Sequence, residues 1–127
     1  MAIQFKTNAE RDQFVELGTK NKALVELLID LDQLVTSTMH KNIVLTSVYR
    51  SPDEQAALYA KSERKVTNSP HSSHEAVDLR SWTFTDPERD EIVDYLNKKH
   101  KNASGRPVAM CHAIPSGALH FHIQLYK

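Results

Sequence analysis

The sequence is poor in cysteine: Cys111 stands alone among 127 residues, which excludes an internal disulfide framework. Glycine and proline are scarce, at three and five, and this excludes fibrous repeats and wholesale disorder. Neither sign of charge is in excess, because sixteen bases offset sixteen acids. That balance argues against a clamp held on nucleic acid by general electrostatics, so no nucleic-acid partner is expected. No apolar run approaches the length of a membrane span, and no membrane insertion is expected. The opening MAIQFKTNAERDQF has neither an apolar h-region nor a small-residue cleavage site, which predicts a chain not exported by a standard signal peptide.

What is present suits a small folded unit. With 127 residues, 40% of them hydrophobic, the chain is expected to form one domain over 1–127 and to be monomeric. A chain of this size buries roughly two-thirds of its unfolded surface. Thr7-Asn8-Ala9-Glu10 has the form of a capping box, and Gly18 is expected to end the short helix it opens. Leu24, Leu27, Leu28, Leu31 and Val35 recur at helical spacing, so 21–39 reads as the main amphipathic helix. Such a stripe is far more often core than a partner-binding surface, and the core reading is adopted. Residues 43–49, IVLTSVY, are β-branched and aromatic, as a buried strand requires. Ser51-Pro52-Asp53-Glu54 then opens a helix expected to reach about Lys61.

The stretch 62–74, SERKVTNSPHSSH, is polar and reads as loop, with a short strand from Glu75 to Leu79. Asp86-Pro87 begins a helix with acids early and lysines late, an order that suits the helix dipole and reads as structural. Strands near 106–113 and 118–126 are expected to pair as a hairpin across Pro115-Ser116-Gly117. This order of elements points to an α+β fold with one sheet.

Five of the seven histidines fall in two clusters, His71 with His74 and His112 with His120 and His122. His40 and His100, beside lysines near helix ends, read as surface residues. His120 and His122 alternate on a strand and share a face. A bare His-x-His is more often a surface or hydrogen-bonded pair than a metal site, and His71 with Asp78 is equally open. Together, two imidazoles and a carboxylate make a three-ligand set that leaves one zinc position for water, whose pKa zinc lowers to about 7. Arg50 closes the 43–49 strand; it reads either as a surface charge or as a fork for a substrate carboxylate or developing oxyanion. Cys111 reads as a small buried strand residue rather than a nucleophile.

The segments TSVYRSPDEQ (46–55), SPHSSHEAVDL (69–79) and HFHIQ (120–124) resemble the three signatures of the zinc D-alanyl-D-alanine carboxypeptidase family. That family also contains phage L-alanyl-D-glutamate endopeptidases, vancomycin-resistance dipeptidases and, more distantly, the hedgehog N-terminal domain. Its middle signature, Ser-x-His-x-x-Gly-x-Ala-x-Asp, is matched by Ser69, His71, Ala76 and Asp78. In order, the three segments span about three-fifths of the chain, and the combination is far more specific than any piece.

The resemblance implies a small antiparallel sheet packed by helices and one Zn2+ held by His71, Asp78 and His122. It implies that Arg50 polarises or anchors substrate and that His120 faces the substrate as proton carrier or oxyanion donor. Ser69, with Arg50 and His120, is assigned to substrate binding. The expected activity is that of a zinc-dependent peptidase on peptidoglycan stem peptides, of the D-Ala-D-Ala carboxypeptidase or L-Ala-D-Glu endopeptidase type. A phage or prophage endolysin, cytoplasmic until released to the cell wall or carried on the virion, fits the absence of an export signal.

Two departures stand out. Position 74 carries histidine where the signature has glycine; His74 is expected to be a non-ligand. Many relatives also have an acid shortly before the final zinc histidine, whereas no acid follows Asp94. Proton transfer then falls to His120, with His112 and Glu75 as weaker candidates. The same absence supports the alternative of a catalytically inactive, zinc-bearing binding or structural module of this fold.

Overall fold

In the computed structural model, residues 3–49, 74–113 and 119–126 are described. Strand β1 (Gln4–Phe5) leads into helix α1 (Asn8–Lys20), and helix α2 (Lys22–Leu34) follows almost at once. The capping box forms as the sequence requires: Thr7 Oγ1 accepts from the backbone of α1 while the Glu10 carboxylate accepts from Thr7 N–H. Gly18 does not end α1. The helix runs on to Lys20, because Asn21 terminates it and starts the next. Asn21 N–H donates to the Leu17 carbonyl at 2.7 Å, and its side-chain oxygen accepts from Leu24 N–H at 3.3 Å. One residue therefore satisfies orphan groups at both helix ends.

The main helix is legible at its apolar face, where Leu24, Leu27, Leu28 and Leu31 are fully buried. Its last turn differs from expectation. From Val35 to Met39 the backbone widens into one π-helical turn, which closes on His40 in the left-handed region at φ 53°. β-branched residues at Val35, Thr36 and Thr38 crowd a regular helix, and the chain leaves α geometry here.

Among the described residues, strands β2 (Val44–Ser47), β3 (Ala76–Arg80), β4 (Ala109–Ala113) and β5 (Leu119–Gln124) join β1 in a five-stranded sheet in the order β1-β2-β3-β5-β4. The α+β expectation is met. Three neighbouring pairs are antiparallel, while the two-residue β1 lies parallel to β2 and makes the sheet mixed. So short a strand has no alternation to read, which is why its pairing is not visible in sequence. Helix α3 (Asp86–Lys99) carries a capping box between Thr85 and Glu88, with Pro87 in its first turn. Asn97 fastens α3 to the sheet: its oxygen accepts from Val108 and Ala109 N–H at 2.8 and 2.9 Å.

The core lies between the helices and one face of the sheet, where Leu45, Val77, Leu79, Phe121 and Ile123 meet the α2 leucines, Ile92 and Leu96. Every residue of β3 from Ala76 to Leu79 is buried, so both faces of this strand are covered. No helix among the described residues is long and apolar enough to cross a membrane. The expected helix from Ser51 to about Lys61, the loop from 62 up to 73 and the turn at 115–117 lie outside the described residues.

Candidate metal centre

Strand alternation decides which side chains share a face. With Val77 and Leu79 in the core, Asp78 points to the other side of the sheet. The β3–β5 register sets Asp78 opposite His122 and Arg80 opposite His120. Asp78 is only 4% exposed, an unusual depth for a carboxylate without close polar partners. Two imidazoles converge on one of its oxygens: His122 Nδ1 lies 3.1 Å from Asp78 Oδ1, and His120 Nε2 lies 3.5 Å from the same atom.

The other nitrogen of His122 fixes what the first can do. Gln124 Nε2 donates to the Pro107 carbonyl at 3.0 Å, which orients the amide and turns Gln124 Oε1 toward His122. That oxygen lies 3.1 Å from His122 Nε2 and also accepts from Tyr126 Oη at 3.2 Å. An amide oxygen cannot donate, so His122 Nε2 carries a proton and gives it to Gln124. A neutral ring in that tautomer has its lone pair on Nδ1, aimed at a carboxylate oxygen. Two acceptors at that separation repel unless a proton or a cation lies between them.

The donor chemistry fits zinc. Two atoms each about 2.0–2.1 Å from a tetrahedral zinc are roughly 3.3 Å apart, and the Asp78–His122 pair is 3.1 Å apart. A metal-bound histidine whose second nitrogen donates to a fixed oxygen is the usual supporting arrangement. Among the described residues no group of three His, Cys, Asp or Glu is arranged to hold a metal. The pair needs a third donor, and His71, expected in that role, lies outside the described residues, as do Arg50 and Ser69.

The remaining sequence candidates separate clearly. His74 adopts φ 60°, the left-handed conformation that glycine accepts without penalty and histidine tolerates better than most residues. Its ring stacks on Tyr49, centroids 4.7 Å apart, and its carbonyl accepts from Asn21 Nδ2 at 3.1 Å. Glu75 contributes its carbonyl to Leu125 N–H at 2.9 Å. His112 is the register partner of His120 on β4. Burial pushes the Cys111 thiol up, with a Ser81 hydrogen bond opposing it, so a thiolate nucleophile is disfavoured. His40 is exposed as expected, but His100 is half-buried, its Nε2 3.0 Å from Asp30 Oδ2.

Gln124 has no role in the sequence reading, although His120, His122 and Gln124 alternate along β5 and a polar residue two places after a metal-type histidine is a legible signal. Arg80, opposite His120 in the register, has no such signal in the sequence. Comparison with known proteins finds no matching family model, no matching curated protein and no matching solved structure.

Proposed function

We propose that the chain is a zinc-dependent peptidase acting on the stem peptides of peptidoglycan. The observation that carries this reading is the buried pair of Asp78 Oδ1 and His122 Nδ1, 3.1 Å apart, with His122 Nε2 committed to Gln124. Asp78, His122 and His71 would hold the metal, and Arg50 would bind a substrate carboxylate or carbonyl oxygen. A bound zinc supplies Lewis acidity, polarising a carbonyl and lowering the pKa of water to about 7.

The protein's own groups do the rest. Asp78 is a ligand and not a base, because its oxygen is already shared between two imidazoles. His120, buried beside Asp78, holds and returns the proton at Nε2, a task that falls to it because no acid follows Asp94. An imidazole suits that work because it can both accept and donate a proton. Depth matters too: charges that develop in a site closed to water are stabilised more strongly than at the surface.

Zinc-loaded protein incubated with purified peptidoglycan, D-Ala-D-Ala peptides and L-Ala-D-Glu peptides tests the proposal. New amine ends that vanish with chelator and in His120→Ala are expected, and mass spectrometry of the digest identifies the bond. Zinc-dependent binding with no cleavage of any of these substrates favours the second reading, an inactive zinc-bearing module, which the absence of an acid after Asp94 supports.

A further inference from the structure

Beside the candidate centre lies a cation that the proposed chemistry leaves unused. Arg80 is the last residue of β3, on the same sheet face as Asp78 by strand alternation and directly opposite His120 in the register. Residues so opposed have Cβ atoms about 5 Å apart, so the root of the Arg80 side chain adjoins that of His120. Its guanidinium carbon sits 5.0 Å from the ring centre of Trp82. Trp82 is 69% exposed and is the single tryptophan of the chain. An indole so open to solvent is unusual, because this side chain is highly buried on average.

Arg80 has no carboxylate partner among the described residues. Their ion pairs engage Lys41, Arg89, Lys98, Lys99 and three histidines instead. Contact with the indole restrains the guanidinium, while the N–H donors along its edge stay available for the bidentate geometry a carboxylate accepts. Ser81 Oγ donates to the Leu119 carbonyl at 2.8 Å, tying the end of β3 to the start of β5 and fixing Arg80 and Trp82 relative to His120.

We infer that Arg80 and Trp82 form a carboxylate-binding subsite that takes an acidic group of a peptide bound across the His120 end of the sheet. The subsite's part in turnover rests on the peptidase reading; its binding does not. Arg80 is a positioning residue in this scheme: it holds the peptide by a group remote from the bond that breaks.

Trp82 reports directly on the subsite. The probe is L-Ala-γ-D-Glu-L-Lys, compared with the same peptide amidated at every carboxylate, each titrated into zinc-loaded protein while tryptophan emission is followed. The free-carboxylate peptide is expected to change the emission and to bind at least tenfold more tightly than the amide. In Arg80→Gln the preference is expected to shrink at least fivefold, the remainder belonging to Arg50 and the metal. Calorimetry on Trp82→Ala is expected to show weaker binding of the acidic peptide, and far-UV circular dichroism checks that both variants fold. In turnover, Arg80→Gln is expected to raise KM severalfold with kcat little changed. Equal binding of the two peptides to the native protein, or a preference that survives undiminished in Arg80→Gln, overturns the subsite. Cleavage without the preference sinks this inference alone, whereas the preference without cleavage sinks the peptidase reading alone.

Discussion

His122 and Gln124 stand two places apart on β5, and the amide oxygen of Gln124 receives the Nε2 proton of His122 at 3.1 Å. The bond decides which nitrogen of the ring is left for Asp78. Replacing Gln124 with Leu removes the acceptor and lets the ring change tautomer or turn. Zinc affinity is expected to fall about 10- to 100-fold, the usual effect of losing a supporting hydrogen bond behind a ligand. Competition with a chromophoric chelator measures it, and unchanged affinity means that Gln124 merely fills space.

Metal binding should also be visible as stability. Zinc at about a hundred times its Kd stabilises a folded protein by about 2.7 kcal/mol, on the order of 10 °C in Tm for a chain this small. Asp78→Asn removes the proposed anionic ligand and keeps the volume, so most of that rise should disappear. Calorimetric scans with and without zinc on both proteins decide the matter; an equal rise in the two would remove Asp78 from the ligand set.

Asp30 forms a separate polar cluster far from the candidate centre in the sequence. Burial disfavours its charged form, but hydrogen bonds from His100, Lys99 and Tyr95 outweigh that and hold the carboxyl below its ordinary value. A carboxyl held low in the folded state adds stability above its unfolded pKa and loses it as pH falls through the folded value. Asp30→Asn is therefore expected to cost about 1–2 kcal/mol at neutral pH. In urea titrations the deficit should shrink once the pH drops below about 3.9, where the free carboxyl protonates. A deficit independent of pH would show that packing, not charge, is what Asp30 contributes.

The left-handed backbone at His74 sets an order of tolerance. Glycine pays nothing for φ 60° but loses the stack on Tyr49, whereas a β-branched residue both loses the stack and strains the backbone. His74→Gly should be more stable than His74→Val by about 2 kcal/mol or more. Chemical denaturation of the two variants gives the difference directly, and the reverse order would mean that position 74 does not need a left-handed residue.

Gly18 offers the opposite kind of test. It lies inside α1, and a Cβ built there meets nothing within 4 Å. Gly18→Ala should stabilise the protein by about 0.5–1 kcal/mol through helix propensity alone. Thermal melts of the two proteins suffice, and a lower Tm in the variant would show that the helix needs its glycine.

Much of the fold is legible because its signals are local. Thr7 and Glu10 announce a helix start by spacing, the leucines of α2 by their period, and the acids and lysines of α3 by their order. Gly18 misleads because a glycine near the end of a periodic run resembles a stop, while the true stop is Asn21, whose side chain also reaches the His74 and Leu125 carbonyls. Those partners are 53 and 104 residues away, and no local pattern contains them. His100 reads as surface for the same reason: its partner Asp30 sits on another helix.

At the candidate centre, alternation along two strands was enough to bring Asp78, His120 and His122 to one face. The part that gives His122 its chemistry, the amide of Gln124 held by the Pro107 carbonyl, depends on a loop meeting a strand. Arg80 escapes notice because an arginine at a strand end looks like any solvated charge until its register partner is known.

The order of strands has a consequence for how the molecule comes into being. β5 is the last of the described strands in chain order yet lies inside the sheet, bonded to β3 on one side and β4 on the other. While the chain emerges from the ribosome, β3 has its β2 neighbour but an open flank, and β4 has no partner, until residues 119–124 arrive. His120 and His122 lie on that same segment, so neither the link between β3 and β4 nor the cluster of Asp78 with the two imidazoles can form before it.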